Sequence, residues 1–231
     1  MKSEQYQNLL QQIEILQPFI NAERMNRIHQ VISQRTLNIV PVLEHIYDRG
    51  NISAVMRSAE AFGFVNFHII DRPDGQFKVS NRVTQGTDKW LRVKKHQTTT
   101  ACLKQLKTQG FKIYATHLDA TTAIEDIDFT KPSAIILGNE KEGVSSEALE
   151  YCDERFIVPM YGFAQSFNIS VAAALCFYHI HRYRSLKLPT SGDLPEYEKA
   201  HFTLEYMCKS LKSAKQILNK YQICEPMGLK K

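Results

Sequence analysis

Five short apolar runs rich in β-branched and aromatic residues, separated by stretches of helical spacing, constrain this chain more than any other feature. They are Ile39-Val-Pro-Val-Leu43, Phe67-His-Ile-Ile-Asp71, Phe111-Lys-Ile-Tyr-Ala-Thr116, Ser133-Ala-Ile-Ile-Leu137 and Arg155-Phe-Ile-Val-Pro-Met160. Such runs read as buried strands, and strands alternating with helices imply a mostly parallel α/β sheet covered on both faces. Pro41 marks an irregularity or an edge position in the first strand. Between the runs, Ile52, Val55, Met56, Ala59 and Phe62 form the buried stripe of a helix that Gly63 ends. Residues 99–109 form another that Gly110 stops, and Val144–Cys152 a short one. Helix 167–186 is apolar almost all round at Ile169–Phe177 and then basic at Arg182 and Arg184. Residues 72–97 are less regular, with turns at Arg72–Gly75 and Gln85–Asp88, and an acidic linker precedes Ser133. On spacing alone the expected fold is an unknotted doubly wound sheet, because knots are rare.

The flanks read differently. Over residues 4–32, Leu9, Leu10, Ile13, Leu16, Met25 and Ile28 recur mostly at spacings of three and four, giving one or two amphipathic helices with a break near Gln17-Pro18. Residues 195–221 read as one amphipathic helix bearing Lys199, Lys209, Lys212, Lys215 and Lys220. The expected organisation is an N-terminal helical extension over 1–33, an α/β domain over 34–186 and a basic C-terminal helical extension over 187–231.

Charge is segregated along the chain. The net charge is +5, and residues 179–231 hold ten Lys/Arg against five Asp/Glu. Residues 72–112 hold ten bases and two acids, whereas 116–154 hold two bases and ten acids. Two basic regions around a balanced middle suit a polyanion-binding protein. No apolar run approaches the ~20 residues that cross a membrane, and the polar start Met1-Lys-Ser-Glu-Gln carries no secretory pattern. Five scattered cysteines without a CxxC pair argue against a disulfide framework or a zinc site and for a reducing cytoplasm. The eight histidines are dispersed and no HExxH occurs, so no metal is expected.

Ligands of parallel sheets bind beyond the carboxyl ends of the strands, which directs attention to three loops. In Arg49-Gly-Asn-Ile-Ser-Ala-Val-Met-Arg57, Asn51 is read as the helix N-cap, and Arg57 lies off the apolar stripe with a planar fork suited to phosphate. Gly138-Asn-Glu-Lys-Glu-Gly143 lacks the spacing of a phosphate loop, and its two glutamates suit ribose hydroxyls or a cationic group. Val158-Pro-Met-Tyr-Gly-Phe-Ala-Gln-Ser-Phe-Asn168 runs from a strand through a turn marked by Pro159 and Gly162 into a helix of small residues. Ser166 has no GxSxG elbow, which excludes the usual hydrolase arrangement.

Taken in order, Asp48–Gly63, Ile136–Ser145 and Val158–Ala172 resemble the three motifs of the SpoU (TrmH-type) RNA ribose 2′-O-methyltransferases, over about residues 37–182. The segment Asn81-Arg-Val-Thr-Gln-Gly-Thr-Asp-Lys-Trp90 and the basic C-terminal helix are similar to the branch that methylates the D-loop guanosine of tRNA, guanosine-18 in tRNA convention. The resemblance implies a deep trefoil knot, in which the chain after the last strand threads back to form an S-adenosylmethionine pocket, and a homodimer. It matches Asn51, Arg57, Glu140, Ser166 and Asn168 to the family's polar catalytic positions. It matches Thr116, Gly138, Val158, Met160 and Phe167 to its cofactor-binding positions, with Phe167 where the branch usually has Leu and Val158 in place of the commoner Ile. The implied reaction is in-line methyl transfer to a ribose 2′-OH of tRNA. Arg57 is the family's candidate base, although arginine side chains release a proton only above pH ~12, which favours a phosphate-positioning role. Alternatives are ribosomal RNA or the tRNA wobble ribose as substrate, or a non-catalytic RNA-binding module on the same fold.

Overall fold

The computed structural model describes residues 2–72, 86–190 and 192–221. The turn expected at Arg72–Gly75 and the segment 81–85 lie largely or wholly outside them, as does Cys224. The described residues fall into two compact units, one from residues 2–35 with 192–221 and one from residues 36–72 with 86–190.

The larger unit is built on a seven-stranded sheet in which every pairing is parallel. In chain order the strands are β1 (Ile39–Glu44), β2 (Asn66–Ile70), β3 (Arg92–His96), β4 (Lys112–Thr116), β5 (Thr122–Ala123), β6 (Ser133–Leu137) and β7 (Glu154–Ile157). Across the sheet they run β3-β2-β1-β6-β4-β7-β5. The chain thus lays β2 and β3 to one side of β1, crosses to start the other half with β4, and later inserts β6 between β1 and β4. Successive side chains of β6 face opposite sides. Ile135 and Leu137 join a core with Ile39, Leu43 and Tyr114, while Ala134 and Ile136 join a second with Val40, Val42 and Ile113. The first core is covered by helices α3 (Arg49–Ala61) and α6 (Ile169–Lys187), the second by α4 (Thr99–Thr108) and α5 (Ser146–Tyr151). Because the strands are parallel, Glu44, Thr116, Leu137 and Ile157 all open onto one edge of the sheet.

Several local expectations are corrected. Pro41 lies in an interior strand, paired with Ile135 of β6. Pairing with β2 begins only at Val42, so proline's absent N–H opposes no continuous ladder on that side. β3 was not separately expected within the irregular stretch 72–97, because an edge strand reading Arg-Val-Lys-Lys-His carries no apolar run. Arg184 does not add to an exposed basic surface. It is buried, and its Nη1 donates to the Phe129 carbonyl at 2.7 Å, anchoring α6 into the core.

Glu44 is a buried carboxylate at the end of β1 with a defined task. Its Oε1 accepts from Thr99 Oγ1 and Ser145 Oγ, each at 2.7 Å, and its Oε2 accepts from the Ser145 amide at 2.9 Å. Thr99 opens α4 and Ser145 caps α5, so one side chain pins two helix starts to the central strand. Hydrogen bonds to a charged group contribute about 1.5–3 kcal/mol each and are not additive. Glu44→Ala is therefore expected to lower unfolding free energy by about 3 kcal/mol, read from urea titration, and a change below about 1 kcal/mol would refute the anchoring role.

In the smaller unit, α1 (Lys2–Leu16) and α2 (Ala22–Ile32) are separated by a 3-10 turn at Gln17–Phe19, where Pro18 interrupts the helical spacing. They pack with α7 (Glu196–Ser210) and α8 (Ala214–Lys220) around Leu9, Leu16, Ile28, Phe202 and Leu218. The single helix expected over 195–221 is two helices. Leu204 to Cys208 are buried in α7, and Lys199 and Lys209 pair with Glu196 and Glu205. This helix therefore presents less open positive charge than its lysine count suggests.

Candidate active site

Three loops meet at the carboxyl edge of the sheet. The loop after β1 leads into α3, whose cap is Asp48: its carboxylate accepts from the Gly50 amide at 2.7 Å. The sequence pattern points to Asn51 as that cap, but Asn51 stands in the first turn, where its side chain is released for longer-range contacts. Its Nδ2 donates to Glu140 Oε1 at 2.7 Å, and its Oδ1 accepts from Asn168 Nδ2 at 3.2 Å. Glu140 Oε2 accepts from the Tyr47 amide at 3.3 Å. Asn168 caps α6, its Oδ1 accepting from Ser170 N at 2.8 Å and Ser170 Oγ at 2.6 Å.

These bonds have a direction. A carboxylate only accepts, so Glu140 turns the Asn51 amide nitrogen toward itself and leaves the Asn51 oxygen for Asn168. The Asn168 oxygen is then left for Ser170. One charge thus orders two amides and joins residues far apart in the chain. Partial burial pushes the Glu140 carboxyl up, but the Asn51 side chain and the amides of Glu140, Tyr47 and Asp48 outweigh it and hold it below the ordinary range. Glu140 is therefore an anion at neutral pH and a weak base, suited to ordering its neighbours rather than to accepting a proton.

Beside this network lies a cleft of 670 Å³, within the usual range for small-molecule sites. Thr116, Gly138, Val158, Met160 and Phe167 all line it, as do Glu140, Ser166 and Asn168. Leu137, Val144 and Phe156 add apolar wall, and Asp119 and Glu142 add negative charge at its edge. Thr116 Oγ1 donates to the Ile136 carbonyl at 3.3 Å, tying the end of β4 to β6. The Gly138 loop closes on itself through reciprocal amide–carbonyl bonds between Asn139 and Gly143, each 3.0 Å. Arg57 is different: it is exposed on α3 and is not among the residues lining the cleft.

Sequence reasoning missed Tyr47. The Tyr47 ring carries the Arg72 guanidinium 4.1 Å from its centroid and the Lys141 ammonium 4.8 Å from it, next to Glu140. No periodicity signals this contact, because the cations come from two other loops. The Asn168–Ser170 bond falls where the sequence places a helix start, since an Asn two residues before a Ser there is a common capping pattern.

Among the described residues no helix is long and apolar enough to cross a membrane. A model of the SpoU rRNA methylase family matches residues 38–178. The tRNA (guanosine(18)-2'-O)-methyltransferase of Escherichia coli (strain K12) is 34% identical over 190 residues, covering 80% of this chain and 82% of that protein. The enzyme of that name from Borreliella burgdorferi is 32% identical over 219 residues, 94% of this chain and 96% of the relative. The crystal structure of an A. aeolicus TrmH/SpoU tRNA modifying enzyme superposes with a TM-score of 0.74 at 29% identity, covering 82% of this chain and 97% of that one.

Proposed function

The chain belongs to the SpoU rRNA methylase family, and on that premise we propose that it transfers a methyl group from S-adenosylmethionine to the ribose 2′-OH of guanosine-18 in tRNA. The observation that carries the reading is the Glu140–Asn51–Asn168 network at the edge of the 670 Å³ cleft, which unites the three loops. The cleft suits that cofactor chemically. Its apolar walls fit an adenosine and a thioether chain, and Asp119, Glu140 and Glu142 suit a ligand bearing a sulfonium and an ammonium.

S-adenosylmethionine held in this cleft would supply an electrophilic methyl group on a cationic sulfonium; transfer to the ribose oxygen would break the sulfur–methyl bond, leave a neutral thioether and release the hydroxyl proton to solvent. In this reading Gly138, Val158, Met160 and Phe167 form the cofactor's walls and Thr116 holds the floor between β4 and β6. Asn51 and Asn168, their amides ordered by Glu140, position the ribose, and Ser166 helps hold it. Arg57, a permanent cation by residue type, grips an RNA phosphate through two parallel hydrogen bonds rather than taking the hydroxyl proton. Alignment of this kind is worth several kcal/mol of barrier.

The insertion of β6 between β1 and β4, followed by return of the chain into α6 beside the cleft, supports the knotted topology of the family. A homodimer is supported by Val171, Leu175 and Tyr178, which recur along α6 and stay exposed, and by Tyr161 and Phe163 at 98% and 109% exposure. The basic stretch 72–112 and Lys212, Lys215 and Lys220 toward the C-terminus are proposed to meet the tRNA backbone.

Labelled methyl transfer into a tRNA transcript tests the reading. The wild type is expected to label one ribose per tRNA, and 2′-deoxyguanosine at position 18 is expected to abolish labelling. Labelling at the wobble nucleotide or in ribosomal RNA alone would redirect the substrate assignment. Unchanged rates in Arg57→Ala would overturn the phosphate role.

A further inference from the structure

On the face of the sheet covered by α4, β2 and β3 bring together three metal-ligating side chains that the methyl-transfer reading does not use. They are His68 in β2, His96 at the end of β3 and Cys102 in α4, all buried. His68 Nδ1 lies 3.2 Å from His96 Nε2 and 3.6 Å from Cys102 Sγ, and the three ligand atoms lie within 4.8 Å of one another. The imidazoles stack obliquely, centroids 4.9 Å apart at 39°.

Protons satisfy this arrangement poorly. His68 Nδ1 offers either one N–H or one in-plane lone pair, yet two partners converge on it. A cation can satisfy all three atoms at once. Tetrahedral zinc, with bonds of about 2.0–2.1 Å to nitrogen and about 2.3 Å to sulfur, separates two nitrogens by about 3.3 Å and nitrogen from sulfur by about 3.6 Å. The two edges at His68 match, and the third, from His96 to Cys102, lies within 4.8 Å and closes to about 3.6 Å when the ion binds. We propose that His68, His96 and Cys102 form a site for a thiophilic divalent cation of the Zn²⁺ class, with water as fourth ligand.

The surroundings hold the two imidazoles in their ligand form, whereas the thiol gives up its proton only to the metal. Burial, with His96 and Lys94 nearby, lowers His68 to about 4, and burial with Lys94 lowers His96, so neither imidazole needs to lose a proton at neutral pH. Burial pushes the Cys102 thiol up to about 12, with Lys94 opposing and Glu44 reinforcing. Binding therefore releases one proton, from Sγ to solvent, as the sulfur–metal bond forms, and affinity gains about tenfold per pH unit near neutrality. The Lys94 ammonium is turned toward Gln105, to which it donates at 2.5 Å. Glu44 supplies compensating negative charge from β1.

Co²⁺ titration of the full-length chain, purified in the presence of chelator and then freed of it, tests the site. One equivalent is expected to bind with a thiolate charge-transfer band and the strong visible bands of a tetrahedral centre, both erased by Zn²⁺. Cys102→Ala is expected to abolish the charge-transfer band. His96→Gln is expected to weaken binding by more than the about 10–100-fold lost with an outer-shell partner. Absence of a thiolate band in the wild type overturns the site, and this arm depends on no variant folding. Persistence of the band in Cys102→Ala also overturns it, since the sulfur would then be another cysteine. Melting in Zn²⁺ gives a separate readout: at a hundredfold excess over Kd the apparent folding constant rises about a hundredfold, and an unmoved melting temperature opposes the proposal.

Discussion

Asn51→Ala is expected to lower the single-turnover rate of methyl transfer by about 10²–10³ while leaving the fold intact. The side chain is half-buried and outside both apolar cores, so its removal creates no core cavity, yet it is the link between Glu140 and Asn168. Without it Glu140 loses its side-chain donor, and Asn168 loses the acceptor that fixes its amide relative to α3. A displacement of about 1 Å in a positioning group costs about a hundredfold in rate. Asn51→Asp separates geometry from charge. It puts a second carboxylate at the 2.7 Å contact with Glu140, where two anions cannot both persist without sharing a proton. In the wild type Glu140 is held below its ordinary range, so its network is complete above the unfolded carboxylate value and is lost only as pH falls through the lower folded one. In Asn51→Asp the pair titrates upward, and activity is expected to recover as pH falls, opposite to the wild-type trend. A rate profile of the same sign in both proteins would refute the ordering role of Glu140.

The parts of this molecule legible in its sequence are those where local pattern and tertiary environment agree. β1 and β6 are buried on both faces, so Ile39–Leu43 and Ser133–Leu137 are apolar throughout and announce themselves. Among the described residues β3 has one neighbour, and it carries charge at Arg92, Lys94 and Lys95, so nothing in its composition separates it from a loop. The break between α7 and α8 is hidden for the opposite reason. Leu204, Met207, Leu211, Ala214 and Leu218 keep spacings of three and four straight through it, and periodicity alone reads one helix. At the site, the cleft-lining residues were legible only as a set, through the resemblance of three ordered loops, because a glycine loop or a capped turn is common singly. Which amide faces which was not legible. It depends on Glu140 meeting Asn51 across 89 residues. The approach of His68, His96 and Cys102 was hidden in the same way, since it requires β2 and β3 to be neighbours and α4 to lie over them.

Gly138→Ala is expected to lower unfolding free energy by about 3 kcal/mol and cofactor affinity by at least about tenfold. A Cβ at this position would stand 1.9 Å from the Gly143 carbonyl carbon, 2.1 Å from its oxygen and 2.1 Å from the Val144 nitrogen. All three are backbone atoms, so no side-chain rotation relieves the overlap. The loop must open, and the reciprocal bonds between Asn139 and Gly143 go with it, at about 1 kcal/mol each. Gly143 cannot adjust by taking a larger residue's conformation, since its φ of +72° already lies in the left-handed region. The strain of forcing a methyl group into a packed site adds about 1–3 kcal/mol. Leu137, Glu140 and Val144 flank the displaced segment and line the cleft, so the damage reaches both the cofactor wall and the carboxylate that orders Asn51. Gly162→Ala is the matched control. The sequence marks Gly162 as shaping the turn after β7, but nothing lies within 4 Å of a Cβ there and its φ is not left-handed, so the change is expected to be close to neutral. Urea unfolding and calorimetric titration with S-adenosylmethionine read both variants. Equal effects of the two substitutions would show that loss of glycine flexibility, and not the close approach at Gly138, governs the pocket.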